Sequence, residues 1–168
     1  MLDLIIKNGT CYIDGTLQEQ DIAVKNGKIS KIGKVSEQAK ETYEAKNLLV
    51  LPGCIDTQTH FREPGSTDTE DLHSGSRAAI AGGITAVFEM PNTNPPTSNK
   101  KEFQRKLDLA KKRMYCNYAF YFGATADNAD DLADLKNLEG CCGIKLFAGS
   151  STGNLLVANE KDIEKVFK

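Results

Sequence analysis

From residue 48 to the C-terminus, short apolar stretches alternate with longer amphipathic ones, and this alternation constrains the fold more than any other feature. A buried strand is expected over 48–59, then a polar loop and a helix near 69–81, stopped by Gly82-Gly83. A strand over 85–90 runs into a Pro-rich loop, 91–97. Ser98 is expected to cap the next helix, which runs to about Arg113 with many Lys and Glu on an exposed face. A strand over 117–123, a short helix near 128–135, a strand over 143–148, a loop over 149–154 and a helix from about Asn159 complete the series. Strands separated by helices join in parallel, because the crossover needs a dozen or more residues. Four such βα units fit either a doubly wound sheet or half of a (β/α)₈ barrel. No GxGxxG follows the first strand, so the dinucleotide-binding form has no support.

Residues 1–51 have a different character. Apolar or alternating stretches over 2–7, 10–13, 20–25, 28–32 and 48–51 are punctuated by Asn8-Gly9, Asp14-Gly15 and Asn26-Gly27. Asn-Gly and Asp-Gly supply the positive backbone angles of tight hairpins. A small antiparallel sheet is expected here. The chain therefore divides into 1–51 and 52–168. A complete barrel takes roughly 250 residues, so the barrel is expected to be truncated and the chain to be a fragment of a longer gene product.

The formal net charge of -2 offers nothing to a nucleic acid or an anionic membrane. No apolar run is long enough to span a bilayer, and the first ten residues lack the pattern of a signal peptide. A cytoplasmic location is the expectation. The five cysteines are odd in number and form no CxxC, which argues for buried free thiols rather than disulfides or structural zinc.

The segment richest in chemistry is Pro52-Gly53-Cys54-Ile55-Asp56-Thr57-Gln58-Thr59-His60-Phe61-Arg62-Glu63-Pro64-Gly65. On a strand, alternate residues share a face, so Asp56, Gln58, His60 and Arg62 are expected on one side near the strand's C-terminal end. Polar groups there either pair with one another as a cap to the strand or bind something. Asn92 suits either a binding role or the turn before Pro95-Pro96. Lys145 lies among apolar neighbours, where an ammonium must be paired or must snorkel to a loop. His73 reads as a solvated residue on a helix face.

Pro-Gly-x-Ile-Asp-x-x-x-His-x-Arg-Glu-Pro-Gly resembles the first barrel strand of dihydroorotases in the amidohydrolase superfamily. Glu89-Met90-Pro91-Asn92-Thr93 and Gly143-Ile144-Lys145-Leu146-Phe147 resemble the same family's signatures on the second and fourth strands. The resemblance implies an α/β fold: the N-terminal part of a TIM (β/α)₈ barrel, about four βα units, preceded by strands of a small β-sandwich. It implies His60, Gln58 and N6-carboxylated Lys145 as ligands of one or two zinc ions, and Arg62 and Asn92 as binders of the substrate carboxylate. The family's usual His-x-His stands here as Gln58-Thr59-His60, an amide in place of one imidazole. The general acid/base aspartate is expected beyond Lys168. The implied reaction is the reversible cyclisation of N-carbamoyl-L-aspartate to L-dihydroorotate. Alternatives are a non-catalytic scaffold for aspartate transcarbamoylase and an allantoinase- or hydantoinase-type enzyme. A homo-oligomer is expected of the full-length protein.

Overall fold

The computed structural model describes residues 1–151 and 154–168. The chain forms two compact units, Met1–Pro52 and Gly53–Lys168. No helix among the described residues is long and apolar enough to cross a membrane.

The first unit is a five-stranded sheet of β1 (Leu2–Ile13), β2 (Thr16–Lys25), β3 (Lys28–Ile32), β4 (Ala39–Glu44) and β5 (Leu49–Val50). The order is β3-β2-β1-β4, and β5 also pairs with β1. Asp14-Gly15 and Asn26-Gly27 make hairpin turns with positive φ at all four residues. Asn8-Gly9 does not. There β1 continues through a bulge, with a register shift between Ile6 and Gly9. Asn8 takes φ 59° and its N–H donates to Asp21 Oδ1 at 2.9 Å. The bulge lets the chain pass close by, since a Cβ on Gly9 would lie 2.5 Å from Val50 Cγ2. The sheet is also mixed rather than antiparallel, because β4 and β5 both run parallel to β1. Ile5, Ala23 and Val35 form its small core. Asp21 ties three segments together. Its carboxylate accepts from the N–H groups of Asn8 and Val35 and from the Lys7 ammonium at 3.2 Å.

The second unit holds β6 (Cys54–Thr59), α1 (Leu72–Ala81), β7 (Ile84–Glu89), α2 (Lys100–Ala110), β8 (Asn117–Gly123), a 3₁₀ helix (Ala129–Asn137), β9 (Cys141–Lys145) and α3 (Glu160–Val166). The sheet order is β6-β7-β8-β9, and every neighbouring pair is parallel. One face carries the core: Val87, Phe120 and Phe122 of the strands pack with Leu72 of α1, Phe103 and Ala110 of α2, and Leu132 and Leu135 of the 3₁₀ helix.

Caps and exposed faces set several element boundaries differently from the local sequence pattern. The expected strand over 48–59 is two pieces, β5 and β6, and most of β6 is exposed. Asp71 starts α1 with a capping box to Ser74. Asn99, not Ser98, caps α2, its side chain accepting from Glu102 N; the Ser98 carbonyl instead accepts from Asn128 Nδ2. The strand expected over 143–148 lies at Cys141–Lys145. The loop expected over 149–154 includes residues 152 and 153, which lie outside the described residues.

Candidate active site

In a parallel sheet all strands end on the same edge, so the residues leaving β6, β7 and β9 gather there. Thr59 pairs with Glu89 in register, and the Met90 N–H donates to the Thr59 carbonyl at 2.9 Å. This last rung sets His60 and the Met90-Pro91-Asn92 exit side by side. His60 Nδ1 lies 2.9 Å from Asn92 Oδ1. An amide oxygen only accepts, so with this amide orientation Nδ1 carries the imidazole proton and Nε2 keeps its lone pair.

The register also decides which side chains share a face. Asp56 pairs with Val87 and Thr59 with Glu89, so a register shift falls between them. Val87 and Glu89 face the helices; Asp56 and Thr59 therefore face them too, and Gln58 and His60 point the other way. The expected common side for Asp56, Gln58, His60 and Arg62 thus fails at Asp56. That carboxylate instead accepts the Gln58 backbone N–H at 2.9 Å. Lys145 pairs with Gly123, whose neighbour Phe122 faces the helices. Lys145 accordingly shares the open face with Gln58 and His60. Two strands stand between β6 and β9, roughly 14 Å on a flat sheet. The Lys145 ammonium lies 5.1 Å from the centroid of the Phe147 ring. Among the described residues, no three His, Cys, Asp or Glu side chains cluster closely enough to hold a metal by themselves.

Arg62 and Asn92 line one cleft of about 410 Å³, with Ser66, Thr93 and Asn94 on its walls. Its two loops are stitched by the Asn94 N–H donating to the Pro64 carbonyl at 2.9 Å. Gly65, at φ 127°, sits where a Cβ would come 3.1 Å from Asn94 Cβ. Arg62 is exposed, its charge available to a ligand. Glu63 turns inward. Its Oε1 accepts from Arg113 Nη1 at 2.7 Å and its Oε2 from the Leu72 N–H at 2.9 Å, at the start of α1. Glu63 raises the Arg113 guanidinium above its ordinary range through that hydrogen bond, against the effect of burial.

Two features escaped the sequence reading. The run 100–113 is not wholly an exposed face. Lys106 is fully buried and pairs with Glu89, which is 1% exposed. Lys106 Nζ donates to the Met90 carbonyl at 2.9 Å and lies 5.2 Å from the Phe120 ring centroid. Burial pushes Glu89 up to about 8, against the pull of Lys106 and Arg62, and pushes Lys106 down. The sequence held a signal: Phe103, Lys106 and Ala110 recur at the spacing of one helical face, so the lysine stands in the apolar stripe. His73 is half-buried rather than solvated, edge-on to Tyr115 with centroids 5.2 Å apart. Of the thiols, all free, Cys11 and Cys116 are buried as expected, whereas Cys54 is exposed.

The sequence profile of the amidohydrolase family matches residues 49–159. Dihydroorotases of Methanosarcina mazei and Methanosarcina acetivorans are 40% and 39% identical to the chain over 98% of its length. An allantoinase of Salmonella choleraesuis is 41% identical over 88% of it. The chain spans about a third of these relatives, 36%, 35% and 33% of their lengths. Among solved structures, an L-hydantoinase (dihydropyrimidinase) from Arthrobacter aurescens superposes with a TM-score of 0.90 at 28% identity, covering 99% of this chain and 38% of that one. A D-hydantoinase gives 0.78 at 29% identity, covering 94% and 35%. The architecture is thus the N-terminal part of an amidohydrolase TIM barrel with strands of a β-sandwich.

Proposed function

The chain belongs to the amidohydrolase family, and from that premise we propose that it supplies the first half of a dihydroorotase site, in which N-carbamoyl-L-aspartate and L-dihydroorotate interconvert. The observation that carries this reading is the exposed Arg62 guanidinium on the cleft it shares with Asn92, beside His60. Both compounds bear a free carboxylate, and a planar guanidinium fork pairs with a carboxylate through two charge-assisted hydrogen bonds. Asn92 serves both sides of the cleft: its Oδ1 orients His60, and its Nδ2 is left as a donor for the same carboxylate.

Three side chains differ in how well they suit a metal ion. His60 fits a zinc ligand, because the proton on Nδ1 leaves Nε2 free. Gln58 shares its face and adds an amide oxygen, a weaker donor than imidazole. Lys145 fits only after N6-carboxylation, since an ammonium has donors alone. These three residues would hold one or two zinc ions together with groups outside this chain. Zinc bound there would supply a Lewis acid for the ring amide and would acidify a bound water.

Gln58 favours a second reading, a catalytically silent relative that scaffolds a partner such as aspartate transcarbamoylase. One experiment separates the two, made on the gene product that carries this segment. Zinc content and carbamoyl-aspartate cyclisation are measured for the wild type and for Arg62→Met. The enzyme reading expects bound zinc, turnover, and a loss of roughly 10- to 100-fold in kcat/KM in the variant at unchanged zinc content. Absence of both zinc and turnover in the wild type would favour the scaffold. Equal activity on allantoin, untouched by Arg62→Met, would move the substrate to a ring without a carboxylate.

A further inference from the structure

The buried Glu89–Lys106 pair lies outside the cleft, in the layer between sheet and helix. An ammonium taken out of water is costly even when paired. Here the pairing is also incomplete: among the described residues, no hydrogen bond reaches Glu89 Oε1. An apolar side chain at 106 would continue the stripe of Phe103 and Ala110 at lower cost. The ammonium does something an apolar group cannot: it grips the Met90 carbonyl at 2.9 Å. Met90 is the first residue after β7, and Asn92 follows two residues later.

The rest of that loop is fastened from its far side. The Pro91 carbonyl accepts the N–H groups of Thr93 and Thr97, both at 2.9 Å, and the Thr97 carbonyl accepts Gly123 N at 2.8 Å. Thr93 Oγ1 donates to the Pro95 carbonyl, also at 2.9 Å. The Met90 peptide is therefore the point at which α2 takes hold of the loop that aims Asn92 at His60.

We propose that Lys106, held by Glu89, is a positioning residue: by fixing the Met90 carbonyl it sets Asn92 against His60 Nδ1 and so selects the imidazole tautomer whose Nε2 faces the open side of the sheet. This deepens the reading of His60 as a ligand and rests on the His60–Asn92 contact. Lys106 touches neither substrate nor metal, and its effect travels through three residues of backbone.

The chain contains only two histidines, His60 and His73, so long-range ¹H–¹⁵N correlation of the imidazoles reads the tautomer directly. The 168-residue chain is measured with a chelator at pH ~8, where free imidazole is neutral. In the wild type, His60 should be predominantly Nδ1–H. Asn92→Ala should shift it toward Nε2–H. Lys106→Met should shift it in the same direction, Lys106→Arg should restore it, and His73 should stay unchanged throughout. If Lys106→Met alone fails to fold, the double variant Glu89→Gln/Lys106→Met removes the stranded carboxylate and should show the same loss. A tautomer unmoved by the lysine variants, but moved by Asn92→Ala, overturns the positioning role and leaves the His60–Asn92 contact standing. A tautomer unmoved by Asn92→Ala removes that contact and the proposal with it.

Discussion

His60 Nδ1 and Asn92 Oδ1 meet at 2.9 Å although they leave different strands. The contact exists because β6 and β7 are parallel neighbours whose last rung, Met90 N–H to Thr59 carbonyl, closes one residue before His60. Partners that fix a ligand histidine typically account for 10- to 100-fold in metal affinity. Asn92→Ala is therefore expected to weaken zinc binding by about that factor, measured by chelator competition on the gene product that carries this segment. Unchanged affinity would mean that the His60–Asn92 contact plays no part in holding a metal.

Phe61 is held from the helix side by the backbone of α1. A Cβ on Gly75 would lie 2.6 Å from Phe61 Cδ1. Gly75→Ala must push the ring or the helix aside, at a cost of about 1–3 kcal/mol. Urea denaturation of the chain should show the loss, together with shifted amide resonances at His60 and Arg62. A variant as stable as the wild type would mean that α1 is free to slide.

Glu89 makes the stability of the chain depend on pH. Burial raises its folded pKa to about 8 from an ordinary 4.5. Between those values the folded chain holds a proton that the unfolded chain has released, so this stabilisation is full below 4.5 and fades as pH rises through 8. Lys106, shifted down by burial, acts in the opposite sense at the alkaline end. Glu89→Gln should flatten the urea midpoint between about pH 5 and pH 8. An equally steep profile in the variant would assign the dependence to other groups.

Asp21 makes the complementary case in the first unit. The Asn8 N–H, followed by the Val35 N–H and Lys7, holds its carboxyl below the usual range in spite of burial. This contribution is present above the ordinary aspartate pKa and is lost as pH falls through the lowered one. Asp21→Ala strands two backbone donors, and a destabilisation of about 2–4 kcal/mol is expected near neutral pH. If Asp21→Ala and the wild type unfold at the same urea concentration, the carboxylate is not the tie between β1, β2 and the segment at Val35.

Strands whose signals were local and apolar were legible. β3 and β8 occupy the residues their patterns indicated, 28–32 and 117–123. β4 was not legible: Ala-Lys-Glu-Thr-Tyr-Glu is nearly all exposed and has no hydrophobic face to announce it. Its existence depends on pairing with β1 some 37 residues away, through Leu2 and Ala39. Asn8-Gly9 carried the right backbone preference, φ 59° at Asn8, but tertiary pairing used it for a bulge rather than a turn. In the site, residue identities pointed to one strand edge, while the register shift that turns Asp56 away from Gln58 could come only from the pairing of β6 with β7. At Lys106 charge and position conflict: its place in the helical stripe says buried, and its residue type says solvent.

The inward turn of Glu63 bears on how the Arg-Glu-Pro-Gly signature should be used. Its arginine lines the cleft, but its glutamate is a bracket, joining Arg113 and the first amide of α1 to the loop. A descendant that had abandoned chemistry altogether would still need the bracket to keep its shape. Surveys that score the four letters together therefore add a structural bracket to a cleft residue, two positions that answer to different constraints.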